Sequence, residues 1–196
     1  MSLQATTSQT VGPYLHIGLN WLITSDLASE LGGAADTGAE AGAGRVTIAG
    51  RVTDGNGRVV NDALLEIWQA NGQGKYADPM RAAAPGFKGF LGFGRCPTDD
   101  DGGFQFTTIK PGAVAGPSGQ LQAPHIVVNV FARGLLKQLV TRIYFPGERS
   151  NETDPVLQLV PAARRATLIA RPGTRSGALE WNVVLRGDNE TVFFDC

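Results

Sequence analysis

The sequence predicts a mainly β protein, a Greek-key β-sandwich, and three observations carry that prediction. Apolar and polar residues alternate with a period of two over several short stretches between residues 45 and 145. Clusters of Gly, Asn and Asp separate these stretches at short intervals, as turns do in all-β proteins. Only one stretch, Asp154–Ala170, reads as a helix. Seven or eight strands, turns at short spacing and one helical segment fit a sandwich better than any helical class.

Taken in order, the chain opens on an arm, residues 1–22, expected to pack on a partner subunit. Within it Gly12-Pro13 fixes a bend, and Leu15, Ile17 and Leu19 alternate with His16, Gly18 and Asn20 in a strand-like period. Residues 23–44 form a Gly/Ala-rich connection with no bulky side chain over 32–44, read as a flexible loop. The sandwich domain is expected over 45–196. Its first strand is Arg45–Val52, and Asp54-Gly55-Asn56-Gly57 is a strong hairpin turn leading to a strand at Ala63–Ala70. A second turn follows at 71–74, and residues 76–97 read as an ordered loop anchored by Phe87, Phe90 and Phe93.

Asp99-Asp100-Asp101-Gly102-Gly103 turns the chain into a strand at Phe104–Ile109. Residues 111–124 are again loop. The stretch 123–134 (APHIVVNVFARG) reads as a buried central strand, β-branched and aromatic, entered through a proline and closed by Arg133-Gly134. Gln138–Phe145 pairs with it after a short connection. The chain closes on a hairpin of Glu180–Arg186 and Thr191–Asp195.

Composition narrows the function. With 17 basic and 18 acidic residues the net charge is −1 and no block of like charge exists, which speaks against a polyanion or an anionic membrane as the main partner. No apolar run approaches the ~20 residues of a membrane helix, and the first residues carry no signal-peptide pattern. The two cysteines, Cys96 and Cys196, read as reduced thiols. These features predict a cytoplasmic protein with a small-molecule or protein partner.

Catalytic machinery is sparse. The two histidines, His16 and His125, lie 109 residues apart, and Val127 occupies the position where a second ligand would share the strand face with His125. The Asp99–Gly102 turn resembles a calcium loop but lacks its distal glutamate. Glu66 sits two residues from Trp68 in mid-strand, readable as a general base or as a carboxylate bonded to loop backbone. Arg133, where an apolar strand meets a loop, offers a planar fork suited to a carboxylate. It reads equally as one half of an ion pair.

A resemblance then sharpens this reading. Thr10-Val11-Gly12-Pro13-Tyr14, Asp54–Gly57, Leu65-Glu66-Ile67-Trp68-Gln69-Ala70, Phe106–Gly112, Pro124-His125-Ile126 and Thr191–Phe194 together resemble the intradiol ring-cleaving dioxygenases. The front segment and the closing TVFFD are similar to the α subunits of the heteromeric members. The resemblance implies the family's sandwich fold and a reaction, insertion of O₂ between the hydroxylated carbons of 3,4-dihydroxybenzoate to give 3-carboxy-cis,cis-muconate. It implies Fe(III) held by two tyrosines and a His-x-His pair on a homologous β subunit. In this chain His125 matches the first histidine, Val127 replaces the second, and no tyrosine stands near Ala113–Val114 or Arg81–Ala84.

The implied role is therefore to line the β subunit's pocket with Thr10, Gly12, Pro13, Tyr14 and Arg133, carrying no metal of its own, within a higher αβ oligomer. The alternative is a stand-alone β-sandwich binding module without catalysis.

Overall fold

The computed structural model describes residues 10–12, 14–19, 23–28, 44–78, 89–116 and 119–195. Eleven strands are present among them: β1 (Arg45–Thr53), β2 (Leu64–Trp68), β3 (Phe93–Pro97), β4 (Gly103–Ile109), β5 (Val114–Ala115), β6 (Leu121–Gln122), β7 (His125–Phe131), β8 (Leu139–Tyr144), β9 (Arg171–Pro172), β10 (Ala178–Glu180) and β11 (Val183–Val184). One sheet runs antiparallel in the order β3-β2-β7-β8. The other is built on β1, with β4 antiparallel on one edge and β10 and β11 parallel, end to end, on the other.

The two sheets pack face to face through the alternate residues of each strand. Ile48 and Val52 of β1, Phe104 and Phe106 of β4, Leu65 and Ile67 of β2, Ile126, Val128 and Val130 of β7 and Ile143 of β8 form one core. Burial of such side chains stabilises by about 1.5–3 kcal/mol each. A smaller cluster, Ala123, Tyr144, Leu157, Val160 and Leu168, lies against the far side of β8.

The central strand behaves as its composition predicts, with its even-numbered side chains buried in the core. The Asp54 turn also forms: the Asp54 carboxylate accepts the N–H groups of Asn56 (2.8 Å) and Arg58 (2.9 Å). It does not join two paired strands, however. Thr53 bridges Val59 and the chain then crosses to the opposite sheet, because β1 has both edges occupied by β4 and the C-terminal strands.

Four further expectations are corrected. The arm is not extended at Leu15–Gly18; it makes one helical turn, with Gly18 N–H donating to Tyr14 C=O (2.9 Å). A strand needs a neighbour to satisfy its backbone, whereas a helical turn satisfies its own. Residues 93–97, read as loop, form β3 opposite β2; the loop 111–124 also holds the short β5–β6 hairpin. Asp154–Ala170 is not one helix but two short 3-10 segments, Leu157–Leu159 and Ala162–Leu168, preceded by a third at Arg149–Glu152. Pro155 and Pro161 each lack an N–H and obstruct a continuous helix.

Nor does the C-terminus form the expected hairpin. Thr191 N–H bonds Val184 C=O (2.9 Å), but Phe194 leaves to bridge Val140 of β8. Phe193 packs on the main core and Val192 and Phe194 on the smaller one, so burial of alternate side chains pulls the segment across both sheets. Residues 23–28, expected to belong to the flexible connection, are instead docked on the sandwich: Thr24 exchanges backbone bonds with Arg95, Leu27 N–H donates to Thr107 C=O, and Leu27 is buried in the main core. The expectations for residues 1–9, 20–22, 29–43, Phe87 and Cys196 fall outside the described residues.

Candidate functional site

Two regions gather the predicted residues. The first is the end of β7. Arg133 follows the buried Ala132, and its side chain is 66% exposed. Its Nε lies 2.9 Å from Asp62 Oδ2, on a carboxylate only 10% exposed. Of the two roles open in sequence, the ion pair forms, and the rest of the guanidinium is left exposed. The next residue, Gly134, donates its N–H to Thr10 Oγ1 (3.0 Å), which ties the arm to the same loop. Gly12 takes φ +77°, a conformation that favours glycine, and turns the arm without crowding any neighbour. Tyr14 is 76% exposed, and Ile17 and Leu136 are also largely exposed. Pro13 lies outside the described residues. The fold therefore brings Thr10 and Arg133 together.

The second region is the outer face of the β2-β7-β8 sheet. His125 begins β7, 2% exposed, with Nδ1 2.7 Å from Ala123 C=O. Its ring lies 5.9 Å from that of Tyr144, directly across the ladder. Two residues on, Val127 stands between Trp68 of β2 and Arg142 of β8 in one cross-strand row. Arg142 Nη1 donates to Gln122 Oε1 (2.7 Å) and contacts Tyr144 Oη at 3.5 Å. Tyr144 donates its O–H to Asp154 Oδ1 (3.0 Å). Asp154 is fully buried and accepts three more bonds, from Ala123 N–H (2.7 Å) and from Val156 and Leu157 N–H (3.0 and 2.7 Å).

The donors here do not fit a ferric ion. Burial, above all, raises the Tyr144 phenol well beyond its ordinary value, so it stays protonated and bonded to Asp154. Val127 supplies no electron pair, and among the described residues no three His, Cys, Asp or Glu side chains converge. The position near Ala113–Val114 is a short strand edge, and Arg81–Ala84 lies outside the described residues.

Burial also lowers the pKa of His125, as does the nearby Arg142, against the opposing pull of the Ala123 carbonyl and Asp154. The folded chain thus refuses a proton that the unfolded chain accepts. His125 contributes stability above about pH 6.5 that declines as pH falls towards its depressed value. Urea midpoints measured across this acid range should fall less steeply for His125→Gln than for the wild type. Parallel slopes would show that another group carries the acid limb.

The remaining candidates are structural. Glu66 pairs not with loop backbone but with Arg95, its cross-strand neighbour on β3 (Nε to Oε1, 2.8 Å), and Arg95 lies over the Phe93 ring. Asp99 Oδ1 accepts the N–H of Asp101 (3.0 Å) and of Gly103 (2.7 Å), so its carboxylate closes a turn. Cys96 is a free, half-buried thiol whose pKa burial pushes up, which lowers its thiolate fraction. Sequence reasoning missed Asp62, Arg142 and the hub role of Asp154. Only the last left a signal, as Asp-Pro is a helix-start pattern.

The profile of the family described as dioxygenase matches residues 23–187. The chain belongs to the intradiol dioxygenase family. It is 41% identical to the protocatechuate 3,4-dioxygenase alpha chain of Burkholderia cepacia, over 99% of this chain and 98% of the relative. The beta chain of the same organism's enzyme is 40% identical over 75% of this chain and 66% of its own length. Among solved structures, the dioxygenase domain of a dioxygenase–carbohydrate-binding fusion from Streptomyces sp. SirexAA-E superposes with TM-score 0.61 at 27% identity, covering 84% of this chain and 88% of that one. The match to alpha chains along nearly the whole length makes this an α-type chain of the family, and its sandwich is the family's fold. Among the described residues no helix is long and apolar enough to cross a membrane.

Proposed function

We propose that this chain is the α subunit of a protocatechuate 3,4-dioxygenase and forms one wall of the pocket of a homologous β subunit. The β subunit holds Fe(III), which supplies the activation of the catechol towards O₂. The α chain binds and orients: Arg133 faces the carboxylate of 3,4-dihydroxybenzoate, and the arm residues Thr10, Gly12, Pro13 and Tyr14 close against the ring. The product is 3-carboxy-cis,cis-muconate. The complex is cytoplasmic and built of several αβ units, with the arm 1–22 docked on the partner, the connection 23–44 leading from it and the sandwich 45–196 carrying Arg133.

The observation that carries this reading is the joint placement of an exposed arginine and the arm at the end of β7, in a chain related to alpha chains over its full length. The exposed Tyr14 and Ile17 of the arm and Leu136 of the loop after β7 support it, because exposed apolar side chains gain stability only when covered.

In the reconstituted αβ complex, Arg133→Ala should raise KM for 3,4-dihydroxybenzoate roughly 10- to 100-fold, the equivalent of a charge-assisted contact of about 1.5–3 kcal/mol. Iron content should stay normal, and the affinity for catechol, which lacks the carboxylate, should hold. An unchanged KM removes Arg133 from the substrate wall.

A further inference from the structure

We infer that Asp62 is a positioning residue for the substrate carboxylate, acting by aiming Arg133; this rests on the reading of Arg133 given above. The basis is the sheet register. In the β2–β7 ladder Leu64 pairs with Phe131, so two further steps past the strand ends bring Asp62 opposite Arg133. The pair is thus an extension of the ladder, fixed by the same backbone that buries Leu65 and Val130.

The pair is also asymmetric. The Asp62 carboxylate is nearly buried, whereas the arginine side chain is two-thirds exposed. Contact is made through Nε, the guanidinium nitrogen nearest the backbone, at 2.9 Å. The side chain is therefore held at its base, and its Nη1/Nη2 end is the far end of an exposed group. That end carries the parallel donors that match a carboxylate.

On the other side of Arg133, Gly134 is held to the arm through Thr10 Oγ1. Arginine otherwise loses much rotamer freedom on binding, and a group ordered beforehand loses less. Asp62 pre-orders Arg133 for a bidentate contact with a carboxylic acid, while Thr10 fixes the loop that carries it.

A negative charge near an anionic substrate could instead only weaken the pull of Arg133, and the two roles predict opposite signs. If Asp62 positions Arg133, Asp62→Ala in the αβ complex raises KM for 3,4-dihydroxybenzoate several-fold with kcat nearly unchanged. Asp62→Asn, which keeps the size of the side chain but not its charge, raises KM as well, because the contact is an ion pair and Asp62 Oδ2 accepts no directed hydrogen bond. The Asp62→Ala effect then disappears in an Arg133→Ala background. Should Asp62→Ala fail to assemble, Asp62→Ser takes its place with the same expectation.

A fall in KM for both Asp62→Ala and Asp62→Asn would overturn the positioning role and leave only charge compensation. An Asp62→Ala effect that persists in the Arg133→Ala background would overturn it as well. If Arg133→Ala itself leaves KM unchanged, it is the substrate-wall reading that fails, a result separate from both.

Discussion

Asp154→Ala is expected to remove about 3–5 kcal/mol of folding stability and to lower the thermal midpoint by roughly 6–20 °C. The carboxylate is fully buried and its four bonds join three pieces of chain that are distant in sequence. It holds the entrance of β7 through Ala123 N–H, the end of β8 through Tyr144 O–H, and the start of the 3-10 segment at Leu157 through two backbone amides. Truncation leaves at least the Ala123 and Tyr144 donors unpaired in a site lined by Leu157, Val160 and Leu168. Each buried orphan costs about 1–3 kcal/mol.

Tyr144→Phe provides the scale. It deletes the bond to Asp154 and the long one from Arg142, and leaves the three backbone donors to Asp154, so the loss should be about 1–2 kcal/mol. Urea unfolding of both variants decides the matter. Equal losses would show that the Tyr144 bond, and not the carboxylate as a hub, holds this corner.

Gly50→Ala should be at least as damaging. A Cβ built on Gly50 would lie 1.7 Å from the carbonyl oxygen of Trp181, a backbone atom that cannot rotate away. The approach arises where β1 changes partners. Its first half pairs with β10 and its second half with β11, and at the junction Trp181 N–H bonds Ala49 C=O (2.9 Å) while Arg51 N–H turns to the side chain of Asn182 (2.9 Å). The Trp181 indole is meanwhile pinned by its Nε1–H to Thr167 C=O (3.0 Å). Forcing β1 and this segment apart breaks those bonds and unpacks Trp181 from Phe104. The loss should exceed the ~3 kcal/mol at the top of the usual overpacking range. A soluble variant with a wild-type urea midpoint would refute this close approach.

Much of this molecule was legible in its residues, and the failures share a cause. Arg45–Val52, Phe104–Ile109 and the stretch around Val128 declared themselves because alternation and β-branching act within the strand itself. The Asp54 and Asp99 turns were equally readable, since an Asx side chain bonds backbone two to four residues on. The arm misled, because Leu15–Leu19 alternates in sequence but among the described residues no strand pairs with it. β3 was missed because Phe93-Gly-Arg-Cys-Pro97 carries no β signal of its own. Gly94 is required there for Thr24 and Leu27 to pack across the strand, a contact no local pattern announces.

The candidate site divides the same way. Arg133, the Gly12 bend and the vacancy of ligand character at Val127 are properties of single positions, and the sequence alone determined them, together with the strand content of the domain. Which carboxylate meets Arg133, which arginine meets Glu66, and which segments Asp154 joins were decided only by tertiary structure. Those contacts depend on register between strands dozens of residues apart. Register is set by the summed burial of two facing sheets, in which no single residue's preference is visible.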